Sequence, residues 1–230
     1  MTLTLESRSP IFVLVADFNP AIFDLPWIAL HLFGRSEGED VELTEILGQN
    51  GTTQLRLSFL DGVAINVAQG RTELWALNAE PDILERVEAV LLRMLEALPH
   101  TPLSAVGCNL IFTDPAPPAS IEDLFTTREG LEAEGVLNSR HSGVQLQVDD
   151  HVLNFSRHLT GDGARFSFNY HRAQTDAEAY KKFIPGMIQR SLEHSSTLLK
   201  SYYGYEGYEV AAFIPAPAEG GEGDNGETTA

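Results

Sequence analysis

The stretch V-L-N-F-S-R-H-L-T-G-D-G-A-R-F-S-F-N-Y-H (152–171) constrains the fold more than any other part of the chain. Apolar and polar residues alternate on both sides of a turn rich in glycine, the signature of a hairpin with one buried face. With Thr160-Gly161-Asp162-Gly163 as the loop, Leu159 faces Ala164, and pairing runs back to Leu153 opposite Tyr170. One face then carries Leu153, Phe155, Leu159, Phe166, Phe168 and Tyr170, with Arg157 as the only charge among them. The other carries Asn154, Ser156, His158, Arg165, Ser167, Asn169 and His171. The first face is core. The second is a polar sheet surface without Asp or Glu, and it is the candidate binding surface of the protein.

A sheet needs more strands than two, and the same grammar supplies them. Leu55, Leu57 and Phe59 alternate, as do Val63, Ile65 and Val67. A three-residue loop, Leu60-Asp61-Gly62 with Gly62 left-handed, pairs Leu57 with Ile65 and keeps one face apolar. Strands are also expected at 11–16, 41–47, 72–77, 103–112, 144–148 and 209–214. Residues 80–98 place Ile83, Leu84, Val87, Val90, Leu91, Met94, Leu95 and Leu98 on one helical face, between Pro81 and Pro99. Asp24 caps a short helix that Gly34 ends. A second long helix is expected over 177–203, kinked or broken at Pro185-Gly186, where Gly186 serves close packing. These readings give an α+β protein of two topologically similar halves, each an antiparallel meander followed by a long helix. The halves are 1–113 and 144–217, joined by a proline-rich connector with a short helix (114–143) and trailed by a disordered acidic tail (218–230).

Charge bounds the partners. Fifteen Lys and Arg stand against 33 Asp and Glu, a formal net of -18. Binding a phosphate backbone requires cations to replace counterions, so direct nucleic-acid binding by the monomer is excluded, and anionic membranes should repel the chain. No run approaches the roughly 18 apolar residues of a spanning helix. Residues 1–10 lack the pattern of a signal peptide. A single cysteine, Cys108, rules out an intrachain disulfide framework. These features point to the cytoplasm.

Catalytic motifs are missing. The break D-F-N-P-A after the strand at 11–16 has no glycine or lysine to cradle a phosphate, so Asp17 and Asn19 read as turn residues. Asp149, Asp150, His151 and His171 could gather at one end of that hairpin sheet, yet no helical histidine pair supports a metal, and none is expected. Cys108 lies in an apolar strand and reads as a small hydrophobe. No cofactor is expected. Y-Y-G-Y-E-G-Y supplies Tyr202, Tyr203, Tyr205 and Tyr208, a candidate interface because tyrosine is enriched where proteins meet.

On the residues V-x-x-F-N-P-A-I-F-x-x-x-W (15–27), the helix ending L-P-H-T-P-L-S-A-V-G-C-N (98–109) and the later meander, the chain resembles a loosely defined group of uncharacterised bacterial α+β proteins. The resemblance spans most of 11–172. It implies a bacterial cytosolic α+β protein and assigns no catalytic residue. The expectation is therefore a non-catalytic interaction protein, a self-associating subunit or adaptor. Two other readings stand beside it: an acidic inhibitor of a partner with a basic face, and an enzyme or small-ligand sensor using the 152–171 polar face.

Overall fold

The computed structural model describes residues 2–7, 9–36, 46–47, 53–58, 62–68, 70–125 and 139–211, with 46–47, 53–58 and 125 described in backbone. Eleven strands join in one sheet. They are β1 (Thr2–Leu5), β2 (Phe12–Ala16), β3 (Ile46–Leu47), β4 (Thr53–Ser58), β5 (Val63–Ala68), β6 (Arg71–Ala76), β7 (Leu103–Asp114), β8 (Ser139–Val148), β9 (His151–Thr160), β10 (Gly163–Ala173) and β11 (Gly207–Val210). Nine of them follow the order β3-β4-β5-β6-β2-β7-β10-β9-β8. β1 lies antiparallel beside the far end of β7, and β11 runs parallel to β1. Every other strand pair among the described residues is antiparallel. The helices are α1 (Leu25–Trp27, continued as a π-helix over Ile28–Leu32), α2 (Pro81–Ala97), α3 (Ala119–Glu122), α4 (Ala177–Phe183) and α5 (Met187–Tyr203). The α+β class stands.

The period-two pattern placed the strands in the right register. Leu159 faces Ala164 and Leu153 faces Tyr170 as expected, and Thr160 also pairs with Gly163, leaving Gly161-Asp162 at the tip. Leu57 faces Ile65, and Gly62 is left-handed at φ 80°; Phe59 to Asp61 lie outside the described residues. Gly163 has φ 124°, and a Cβ there would sit 2.2 Å from the Asp114 carbonyl oxygen. Only glycine lets β10 pass that close to the end of β7.

One face of the sheet is covered by helices. α2 lays its apolar stripe on β5 and β6, and α5 lies over β7 beside α2. Ile83, Leu84, Val87, Val90, Leu91, Met94 and Leu95 are all buried. At about 1.5–3 kcal/mol per large apolar side chain, this stripe is a principal source of stability.

Three readings need correction. Residues 2–5 form β1, a strand the sequence reading did not foresee. β8 starts at Ser139, so the end of the predicted connector 114–143 is strand, and α3 is its short helix. The second helical stretch is broken at Pro185-Gly186 as expected, into two helices separated by Ile184 to Gly186. Gly186 is there for its backbone: φ is 71°, and a Cβ would meet only the Arg190 side chain. The break is held from outside, because the buried Glu88 carboxylate of α2 accepts the amides of Gly186 and Ile188 at the start of α5. Burial raises the Glu88 pKa against the opposing pull of those two amides and Arg190. The predicted tail at 218–230 lies outside the described residues.

Candidate functional site

The strands β8, β9, β10 and β7 carry their polar side chains on the face away from α5, and cross-strand register sorts these into rows. One row is made entirely of amides. Gln145 Nε2 donates to Asn154 Oδ1 at 2.9 Å, Asn154 Nδ2 to Asn169 Oδ1 at 3.1 Å, and Asn169 Nδ2 to Asn109 Oδ1 at 2.7 Å. Asn109 Nδ2 in turn reaches the Pro10 carbonyl at 3.4 Å. Each pair sits directly opposite in the ladder, so the row costs no register distortion. The next row holds Gly143, Ser156, Ser167 and Ile111. Ser156 and Ser167 stand directly opposite each other in the ladder.

A hollow of about 590 Å³ lies over these two rows. Ser9 and Pro10, in the jog between β1 and β2, help to line it, and Gly143 and Gln145 line it on β8. No ionisable side chain is among its lining residues. Of the seven predicted binding residues, Asn154, Ser156, Ser167 and Asn169 line it. His158, Arg165 and His171 share the face but fall outside the hollow. His158 meets His141, with ring centroids 6.1 Å apart. His171 Nδ1 lies 3.2 Å from Asn154 Nδ2 and accepts from it. Arg165 reaches Glu6 at 3.4 Å, so the face is not free of acid as the hairpin alone implied. Glu6 follows β1, and its arrival could not be read without that strand. Asn109 and Gln145 were also missed; a lone amide inside G-C-N-L-I-F and the alternation V-Q-L-Q-V were the available signals.

A second hollow, of about 480 Å³, opens on the helical side between the β8–β9 turn and the α4–α5 break. Asp149, Asp150, His151, Arg172, Lys182 and His194 line it together with Tyr170. Arg172 pairs with Asp150 at 2.8 Å, and His151 Nδ1 lies 3.4 Å from the same carboxylate. The Tyr170 hydroxyl bonds to Ser195 at 2.9 Å and His194 Nδ1 at 3.0 Å, which ties α5 to β10. Burial raises the Tyr170 pKa. Burial, and then His151, lower that of His194. The four residues weighed as a metal cluster are divided by the sheet: His151 points to the helical side, while His171 lies on the amide face. No metal-binding group of His, Cys, Asp or Glu forms among the described residues.

The remaining candidates resolve into packing. Cys108 is fully buried, and burial pushes its thiol up to about 12. Asn19 accepts the Ala21 amide and Asp24 that of Trp27, so the break at 17–20 is a turn. The tyrosines disperse. Tyr205 is 1% exposed and donates to Asp114 Oδ2 at 2.9 Å. Tyr203 packs on Phe155 and Phe166 and receives a hydrogen bond from Arg157, and Tyr208 packs on Phe112. Tyr202, at 73% exposed, is the one standing in solvent.

The fold and site define an α+β protein with an uncharged, amide-floored hollow on the open face of its sheet. Compared with known proteins, the chain matches no family model, no curated protein and no solved structure. Any reading of its function therefore rests on the geometry above.

Proposed function

We propose that the chain is a non-catalytic interaction protein that holds an extended segment of a partner polypeptide in the amide-floored hollow. The observation carrying this reading is the unbroken row Gln145, Asn154, Asn169, Asn109, with Ser156 and Ser167 in the adjoining row. Amides and hydroxyls offer donors and acceptors in the mixture a peptide backbone presents, and no charge in the hollow must be desolvated on binding. The formal charge of -18 suits a partner with basic residues flanking that segment. A second reading, a sensor of a small uncharged ligand, is favoured by the hollow's 590 Å³, inside the range of ligand pockets.

We also read the chain as two related halves in one sheet. Each has a meander (53–76 and 139–173), then helix, then a return strand (β7 and β11). The return strand passes over one neighbour in the first half and two in the second.

The test is recovery of a partner from the native host by wild type and by the Asn154→Ala/Asn169→Ala variant, with light scattering and mass spectrometry on the eluate. A protein lost selectively with the variant, and released by salt, supports the reading. Equal recovery by both proteins sinks it, and a lone monomer carrying a small molecule moves the site to the second reading.

A further inference from the structure

β8 lies at the end of the nine-strand path, and among the described residues it pairs with β9 alone. Its ten residues are long for an edge strand, and edges that carry apolar side chains are normally shielded from pairing with another chain. Here Val144 and Leu146 are 50% and 42% exposed, on the same side of the sheet as the core residues Leu153 and Phe155. The charge along the strand is graded. Arg140 and His141 stand near its start, and Asp149 and Asp150 follow its end. An antiparallel copy sets the basic end of each strand against the acidic end of the other, whereas a parallel copy sets like against like.

From this we infer that β8 pairs antiparallel with β8 of a second copy, about a twofold axis at Gln145. Axes centred on a residue keep the apolar side chains of both copies on one face, and axes between residues do not. With the axis at Gln145, Val144 lies opposite the partner's Leu146, and residues 142–148 of the two copies pair. Moving the axis to Val144 sets Leu146 against the partner's Ser142. Moving it to Leu146 shortens the ladder to residues 144–148. The register at Gln145 keeps Val144 and Leu146 against each other in a longer ladder.

The same register has a consequence for the hollow. The amide row ends at Gln145, so it continues into the partner's Gln145 and runs through both copies. Gly143, at the hollow's rim, comes beside the partner's Gln147. The two hollows thereby become one trough to which each copy contributes. This use of the dimer rests on the interaction reading above; the pairing itself does not.

Light scattering on the full chain should give twice the 25.2 kDa of one copy. Val144→Lys/Leu146→Lys places lysines on both sides of the apolar contact and should raise the dimer dissociation constant on the order of a hundredfold, with thermal unfolding of the monomer unchanged. His141→Asp, which removes the basic character at the start of the strand, should weaken the dimer roughly tenfold in low salt and less in high salt. Under mild oxidation Gln145→Cys should form a symmetric disulfide that Gln147→Cys does not, and the buried Cys108 leaves the readout clean. A chain that stays monomeric at its highest soluble concentration overturns the proposal, as does a dimer indifferent to the two lysines. Crosslinking of the Gln147→Cys variant in preference to the Gln145→Cys variant overturns the register. A monomer that takes another protein's strand on this edge overturns self-pairing. A monomer that still captures its partner through the hollow would sink this inference alone, while an intact dimer that captures nothing would sink the interaction reading alone.

Discussion

The two faces of β9 and β10 are built from the same two strands and solve opposite problems. Toward α5, Leu153, Phe155, Phe166, Phe168 and Tyr170 are removed from water, and Phe168 stacks between Tyr170 and Phe155, 4.6 Å from the latter. Away from α5, Asn154, Ser156, Ser167 and Asn169 stay half-buried. Their amides bond sideways to each other, an exchange of water hydrogen bonds for internal ones that adds little net stability. The first face holds the molecule together. The second stabilises it only weakly, and a well-ordered surface that contributes little to folding is the part of the molecule free to bind.

That contrast can be broken or sharpened by measurement. The largest effect should come from Phe168→Ala, which empties the centre of the apolar face and should cost about 3–5 kcal/mol in denaturant unfolding. Tyr205→Phe deletes the hydrogen bond to the Asp114 carboxylate at the buried edge of the same layer, and should cost about 1.5–3 kcal/mol. Asn169→Ala cuts the amide row at its middle and should cost only about 1 kcal/mol; a loss as large as that of Phe168→Ala would erase the distinction between the faces.

A smaller effect concerns pH. The folded value of His194 lies below its ordinary 6.5, so the unfolded chain binds the proton more readily. Stability contributed through this group is present above 6.5 and lost as pH falls through the folded value. His194→Gln should flatten the thermal stability profile on the acid side of 6.5, and an unchanged slope would assign it to other groups. Tyr202→Ala, in solvent, should stay within about 0.5 kcal/mol of wild type.

What the sequence revealed follows the same division. Both faces of the hairpin were legible because a period of two leaves no choice about which side chains share a side. The helix over 81–97 was legible for the corresponding reason at a period near 3.6. The amide row was legible only in part. Asn154 and Asn169 belong to one hairpin, but Asn109 joins them through the pairing of β10 with β7, which no local pattern announces. β1 was lost because T-L-T-L is short and its neighbours lie more than a hundred residues away in the chain. β8 was begun late because S-R-H-S-G has no apolar alternation. The second hollow was invisible for a related reason: a turn, a strand and two helices meet there, and only the fold brings His151 to His194.

The parallel pairing of β1 with β11 sets an order of events. During synthesis residues 2–5 leave the ribosome before the neighbour on their outer side, residues 207–210, which is made more than two hundred residues later. β2 likewise waits for β6 and β7. β1 can pair with β7 once residue 113 is made, but its outer side stays open until β11 follows. A nascent chain halted before β11 should be more protease-sensitive at residues 2–5 than the finished chain, and closure of that last seam protects them.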